Sequence, residues 1–170
     1  ATEYLYQLGH RKIAYLGVDN SLVFSADRRN GYQLALTRHG IVPKPEYCVE
    51  LPSITAGEDT PVHALLRSAS RPTAIVVSDD ILALTLERIC TETGLSIPAD
   101  LSILSFNNSL FARLTSPQLT SIDINSCQLG MEAAAQMISH IENPELPATK
   151  ILVPHQLIER DSCARPVSHS

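Results

Sequence analysis

Three short stretches of this sequence carry side chains able to hold a polar ligand: Ser25, Asp27, Arg28 and Arg29 in "SADRR", the acid pair Asp79 and Asp80, and the amide pair Asn107 and Asn108. Each stands where a strand-like apolar run hands over to a helical pattern, and open α/β sheets hold ligands outside the carboxyl ends of their strands. A guanidinium fork, a carboxylate and an amide converging on one crevice exchange several directional hydrogen bonds with hydroxyls. That chemistry suits a sugar or another small polar molecule. Each group also has a plainer reading. One of the two acids is expected to cap the helix that begins near Ile81, Asn is at home in turns, and Arg28 in a first helical turn can lie along the surface.

Catalytic readings find little to work with. The sequence has no GxSxG nucleophile elbow, no GxxxxGK[ST] phosphate loop and no GxGxxG turn. Asp79-Asp80 resembles the acid pair of a magnesium-dependent phosphotransfer site, yet the next strand end offers Asn107 and Asn108, whose uncharged amides anchor a hard cation poorly. Cys48, Cys90, Cys127 and Cys163 are far apart, without a CxxC pair or paired histidines. They read as reduced, mostly buried thiols of a cytoplasmic protein and not as a zinc site or a disulfide framework. No enzyme activity, cofactor or metal is expected.

The elements that must position these groups alternate in type. Lys12 to Gly17, Tyr47 to Leu51, Arg71 to Asp80 and Leu101 to Phe106 read as strands. Between them lie helical patterns: one capped by Ser25 or Asp27 and stopped at Gly40, one over Gly57 to Ala69, and one over Ile81 to Thr93 stopped at Gly94. Gly31 would let the helix carrying Arg28 approach the sheet closely. Sequential βα units wind into one mostly parallel sheet, so the fold class is α/β with helices on both faces. After Pro117 come a short strand at Leu119 to Asp123, a helix over Gln128 to Glu142, a strand at Lys150 to Val153 and a polar tail expected to be disordered.

Composition sets the outer limits. With 170 residues and 44% hydrophobic content the chain can bury one sizeable core or one domain plus part of another. Thirteen basic against 18 acidic residues give a net charge of -5, so the positive stripe that nucleic-acid backbones require is missing. No apolar run reaches membrane-spanning length. The opening "ATEYLYQLG" has neither an initiator Met nor a signal-peptide core and reads as a helix entered midway.

Seven stretches, in order, resemble the LacI/GalR (lactose-repressor/galactose-repressor) family of bacterial transcription regulators: "LGHRKIAYLG", "ADRRNGYQLAL", "RPTAIVVSDDILAL", "GLSIPADLSILSFNNS", "SPQLTSI", "GMEAAAQM" and "LIERDSC". The resemblance implies a periplasmic-binding-protein-like effector domain of two α/β lobes joined by crossover strands. On that reading residues 1–116 form the C-terminal lobe. Residues 117–150 are a crossover strand and helix of the N-terminal lobe, 151–163 the return, and 164–170 a disordered tail. The helix-turn-helix headpiece and most of the N-terminal lobe lie outside the chain.

The resemblance also implies roles. Arg28 matches an arginine that clamps the effector, Asp79 a polar contact, and Asn107 the ligand-binding Asp of "GFDD" or "GYDD", with Ser105 in place of that motif's Gly. Ser25 joins this set as a ligand contact. Around Pro52 to Ile54 the family often places an aromatic that this sequence lacks, and "SFNNS" is similar to maltose-type regulators. The implied partners are a sugar-like effector, a second copy of the chain and operator DNA bound through the headpiece. Ile81, Leu82, Thr85, Leu110 and Phe111 are expected at the dimer interface. The runner-up is a sugar-binding protein of a transport system, which shares the fold without DNA binding.

Overall fold

Two short runs set the middle of the sheet: "AIVV" is apolar at every position, and "SILSF" places serines among apolar residues. Both are buried almost throughout, as strands covered by helices on both faces must be. The computed structural model describes residues 1–18, 23–52 and 60–167. Among them the sheet has six strands, β1 (Ile13–Val18), β2 (Cys48–Leu51), β3 (Ala74–Val77), β4 (Ser102–Phe106), β5 (Thr120–Asp123) and β6 (Gln156–Ile158), in the order β2-β1-β3-β4-β5-β6. All neighbours are parallel except β5 and β6, where Ser121, Ile122 and Asp123 pair antiparallel with Ile158, Leu157 and Gln156.

Side chains alternate strictly across the strands and so build two cores. Ala14, Leu16, Ile75, Val77 and Ile103 face α3 (Thr60–Arg67), α4 (Asp80–Thr93) and α5 (Leu110–Leu114). Ile13, Tyr15, Val76 and Leu104 face α1 (Thr2–Gln7) and α2 (Val23–Arg38) through Leu5, Tyr32 and Leu36. The result is the expected three-layer α/β architecture. Helix α6 (Ser126–Glu142) stands apart from both cores, with no buried residue along 17 positions.

Several expectations shift. The "ILV" run near Lys150 to Val153 forms no strand, and Leu152 is exposed. The free edge of β5 is met instead by Gln156–Ile158, just beyond Pro154, whose missing N–H would interrupt a ladder there. Helix α2 already runs at Val23, so neither Ser25 nor Asp27 is its cap, and Gly31 faces open space with nothing near its missing Cβ. Of the helix expected over Gly57 to Ala69, residues 57–59 lie outside the described residues.

The tail is held at its first residues and not disordered from 164. The carbonyl of Ala164 accepts from His10 Nε2 at 2.8 Å and from the Ser102 hydroxyl at 3.1 Å. A carbonyl only accepts, so Nε2 carries the proton, leaving Nδ1 to meet the Thr73 hydroxyl at 2.8 Å. The neighbouring Ser162 is fully buried between β4 and β5, its hydroxyl donating to the Ile103 carbonyl at 2.6 Å and accepting from the Thr120 N–H at 2.8 Å.

Candidate functional site

The carboxyl ends of β3 and β4, the first turns of α2, α4 and α5, and the start of α6 line an open cavity of about 860 Å³. Arg28, Asp79 and Asn107 all line it, so residues separated by 51 and 28 positions in the chain meet at one place, as strand-end reasoning requires. Helix α2 brings Arg28 over the sheet. Its guanidinium donates to the Ser78 carbonyl and, at 3.2 Å, to Asn107 Oδ1. The rings of Phe106 and Phe24 flank it at 4.5 and 5.1 Å from their centroids. Burial lowers the Arg28 pKa from its usual value, while Tyr15, Asp79 and Asp80 pull it back. Arginine titrates so high that the group stays charged.

The two acids divide the work. Asp79 caps α4, its Oδ1 accepting from the Leu82 N–H at 2.8 Å, while its Oδ2 accepts from the Ser78 hydroxyl at 3.3 Å. Asp80 is turned inward and 1% exposed. One of its oxygens accepts from the hydroxyls of Ser105 at 2.5 Å and Ser121 at 2.9 Å, and the other from the Ser109 N–H at 2.6 Å. A single carboxylate therefore joins α4, β4, β5 and the first turn of α5. The sequence carried a signal for this that its reading missed: Ser105 and Ser121 sit at core-facing positions of strands, and buried hydroxyls need a partner.

The amides divide as well. Both adopt left-handed backbone, φ 97° at Asn107 and 47° at Asn108, which Asn tolerates better than most residues. Asn107 Oδ1 faces Arg28 on the cavity lining, while its Nδ2 donates to nothing among the described residues. Asn108 is a brace: its Nδ2 donates to Asp123 Oδ2 at 2.9 Å, its Oδ1 accepts from Arg160, and its N–H donates to the Ser121 hydroxyl at 3.0 Å. Hydrogen bonds from Asn108 and from the Asn125 N–H hold Asp123 below the usual carboxylate pKa. Arg160, in turn, donates to the Leu119 carbonyl at 2.6 Å, tying the chain after β6 to the strand it crossed from.

Ser25 does not join the site. It is fully buried, its hydroxyl donating to the Val18 carbonyl at 2.7 Å, because inclusion in α2 turns it toward β1 and away from the cavity. Arg29 also points elsewhere and pairs with Glu50 at 3.2 Å. At the expected dimer face, Ile81, Leu110 and Phe111 are exposed and Thr85 half-buried, but Leu82 is 0% exposed. The Asp79 cap fixes the phase of α4 so that Leu82, Leu86 and Ile89 all point into the sheet-side core. Phe24 and Phe106 were not singled out by sequence, although Phe106 falls at the end of its strand on the α2 face. Ser53 and Ile54, where an aromatic was looked for, lie outside the described residues. Among the described residues no group of three or more His, Cys, Asp or Glu side chains could hold a metal ion, and no helix is long and apolar enough to cross a membrane.

Comparison with known proteins agrees with this architecture. A family model described as "Periplasmic binding protein-like domain" matches residues 2–163. The probable transcriptional repressor ExuR of Bacillus subtilis is 30% identical across 97% of this chain, and the ribose operon repressor of Haemophilus influenzae 33% identical across 85%. The chain spans 50% and 43% of those two proteins, about half of their length. Among solved structures, a putative LacI transcriptional regulator from Bacillus cereus superposes with a TM-score of 0.90 at 37% identity, over 96% of this chain and 58% of that one. A LacI family regulator from Enterococcus faecium with bound ribose superposes at 0.82 and 28% identity, over 96% of this chain and 60% of that one. Strand-end site, sheet order and relatives agree: the chain belongs to the LacI/GalR family and carries its periplasmic binding protein-like domain.

Proposed function

We propose that this chain is the effector-sensing part of a bacterial transcription repressor, working in the cytoplasm as a homodimer, with a small sugar as the effector. The observation that carries the reading is the meeting of the Arg28 guanidinium, the Asp79 carboxylate and the Asn107 amide around one 860 Å³ cavity. That set supplies donors and acceptors in the mixed pattern that vicinal hydroxyls satisfy, with Phe24, Ile124 and Leu129 as the apolar wall a sugar ring packs on. The ribose in the Enterococcus faecium relative makes an aldopentose the first probe.

Residues 1–116 are then one lobe of the effector domain. Residues 117–150 are a crossover and a helix of the other lobe, and 151–163 the return. The exposed, partnerless surface of α6 supports this division. An effector acts on such a two-lobed domain only through its different affinities for two lobe arrangements. Operator DNA would be held by a headpiece, since this acidic chain offers no binding stripe of its own. In a protein with both lobes and a headpiece, Arg28→Ala is expected to abolish the response of operator binding to the sugar while leaving operator binding itself intact. A panel of ribose, hexuronates and maltose, read by gel shift, checks this. Induction that survives the substitution overturns the Arg28 assignment. Sugar binding with no operator binding would favour a transport-type binding protein.

A further inference from the structure

A second cavity, of about 300 Å³, opens at the opposite end of the sheet, where the strands begin. Lys12 enters it from the start of β1, Arg67 from the last turn of α3, and Arg71 from the loop leading to β3. Among the described residues Asp100 is the only acid on its walls, and it meets Arg71 loosely, at 4.0 Å. Neither Lys12 nor Arg67 has an ion-pair partner among the described residues. Three cations against one carboxylate concentrate positive charge in a concave site on a protein whose net charge is -5. Such clefts focus the field and gather anions.

The carbonyl end of α3 accounts for one basic residue in its last turn. It does not account for Lys12 and Arg71, which arrive from other elements. The floor is held in place by hydrogen bonds between His10 and Thr73, both on its lining, and from His10 to the Ala164 carbonyl. We infer that this cavity is a binding site for a small phosphorylated metabolite, separate from the cleft at the other end of the strands. A phosphate dianion offers three acceptor oxygens to three cations placed on different walls, and charge-assisted hydrogen bonds of this kind are the strong ones. The volume is at the lower end of small-molecule sites, which selects a compact ligand.

The test is calorimetric titration of the 170-residue chain with inorganic pyrophosphate, with citrate and sodium chloride at matched ionic strength as comparison arms. Pyrophosphate is expected to bind with one-to-one stoichiometry and to shift the backbone amides of Ser68, Thr73 and Asp100 in NMR spectra. Arg67→Glu and Lys12→Glu, both at exposed side chains, are each expected to weaken it at least about tenfold, the loss of one charge-assisted contact, with the ligand-free melting point unchanged. Arg28→Ala is expected to leave it untouched. Binding that survives both charge reversals, binding lost in Arg28→Ala, or a response that citrate or salt reproduces would each overturn the site. Should Arg67→Glu not fold, Lys12→Glu and the amide shifts carry the same decision.

Discussion

At the scale of single residues, the site depends on a carboxylate at the edge of the cavity whose oxygens are taken up by other elements of the fold. Asp80 accepts three hydrogen bonds from three different elements while almost wholly buried. Removing it by Asp80→Ala would strand two hydroxyls and an N–H, each a desolvated polar group that costs about 1 to 3 kcal/mol. The expected loss is about 3 to 5 kcal/mol in urea unfolding, of the order seen when one partner of a buried ionic contact is deleted. Asp80→Asn, which keeps one acceptor oxygen, is expected to lose less. Equal and small losses for both would show that the neighbours rearrange without it. Residue reasoning from sequence placed Arg28, Asp79 and Asn107 near one another, and the structure puts them on one cavity, because strand ends are legible as the places where apolar runs stop. It failed at Ser25 and Leu82 because those depend on helix phase, and one residue more or less at a helix start turns a side chain by 100°.

At the scale of elements, α4 carries both a success and a tension. Its start and stop were written in the sequence: Asp79 caps it, and Gly94 closes it in left-handed backbone at φ 73°. The structure sorts its apolar residues into core-facing Leu82, Leu86 and Ile89 and outward Ile81. The tension is Glu87, where an oxygen is buried without a hydrogen bond and burial raises the carboxyl from 4.5 to about 7. A folded-state pKa above the unfolded one means the contribution to stability is full below pH 4.5 and is lost as pH rises to about 7. Glu87→Gln is therefore expected to stabilise the chain above pH 7 by about 1 kcal/mol, discounted for solvent screening, and to make no difference near pH 4. Thermal melts of both proteins at the two pH values check it, and a gain at low pH would contradict the burial argument. The last strand was misplaced for a related reason: "ILV" and "QLI" have similar strand character, and only the free edge of β5, a tertiary fact, chooses between them.

At the scale of the whole molecule, the two packed faces of the sheet contrast with a helix that covers neither. Helix α6 exposes Met131, Met137, Ile138 and Ile141, the last two at 57% and 72%, although its pattern is that of an amphipathic helix. The outer surfaces of α4 and α5 expose a second set, Ile81, Leu110, Phe111 and Leu114. Exposed apolar side chains clustered on one helix face mark a place of contact, so the isolated chain is expected to self-associate as its concentration rises. The two surfaces predict different assemblies. A symmetric contact through α4 and α5 closes at two copies, whereas an additional contact through α6 lets the assembly grow beyond them. The double substitution Met137→Glu with Ile141→Glu is expected to stop growth at a dimer in sedimentation velocity, and Phe111→Glu to remove the dimer. Neither alters a buried side chain, so the unfolding midpoint of a dilute sample is expected to stay within about 0.5 kcal/mol of the parent. If the α6 variant grew as the parent does, α6 would not be the sticky face, and its apolar side would need a partner within the same chain. Hydrogen exchange separates those cases: a helix docked on its own chain protects its amides at all concentrations, while a helix buried only in the assembly loses protection on dilution.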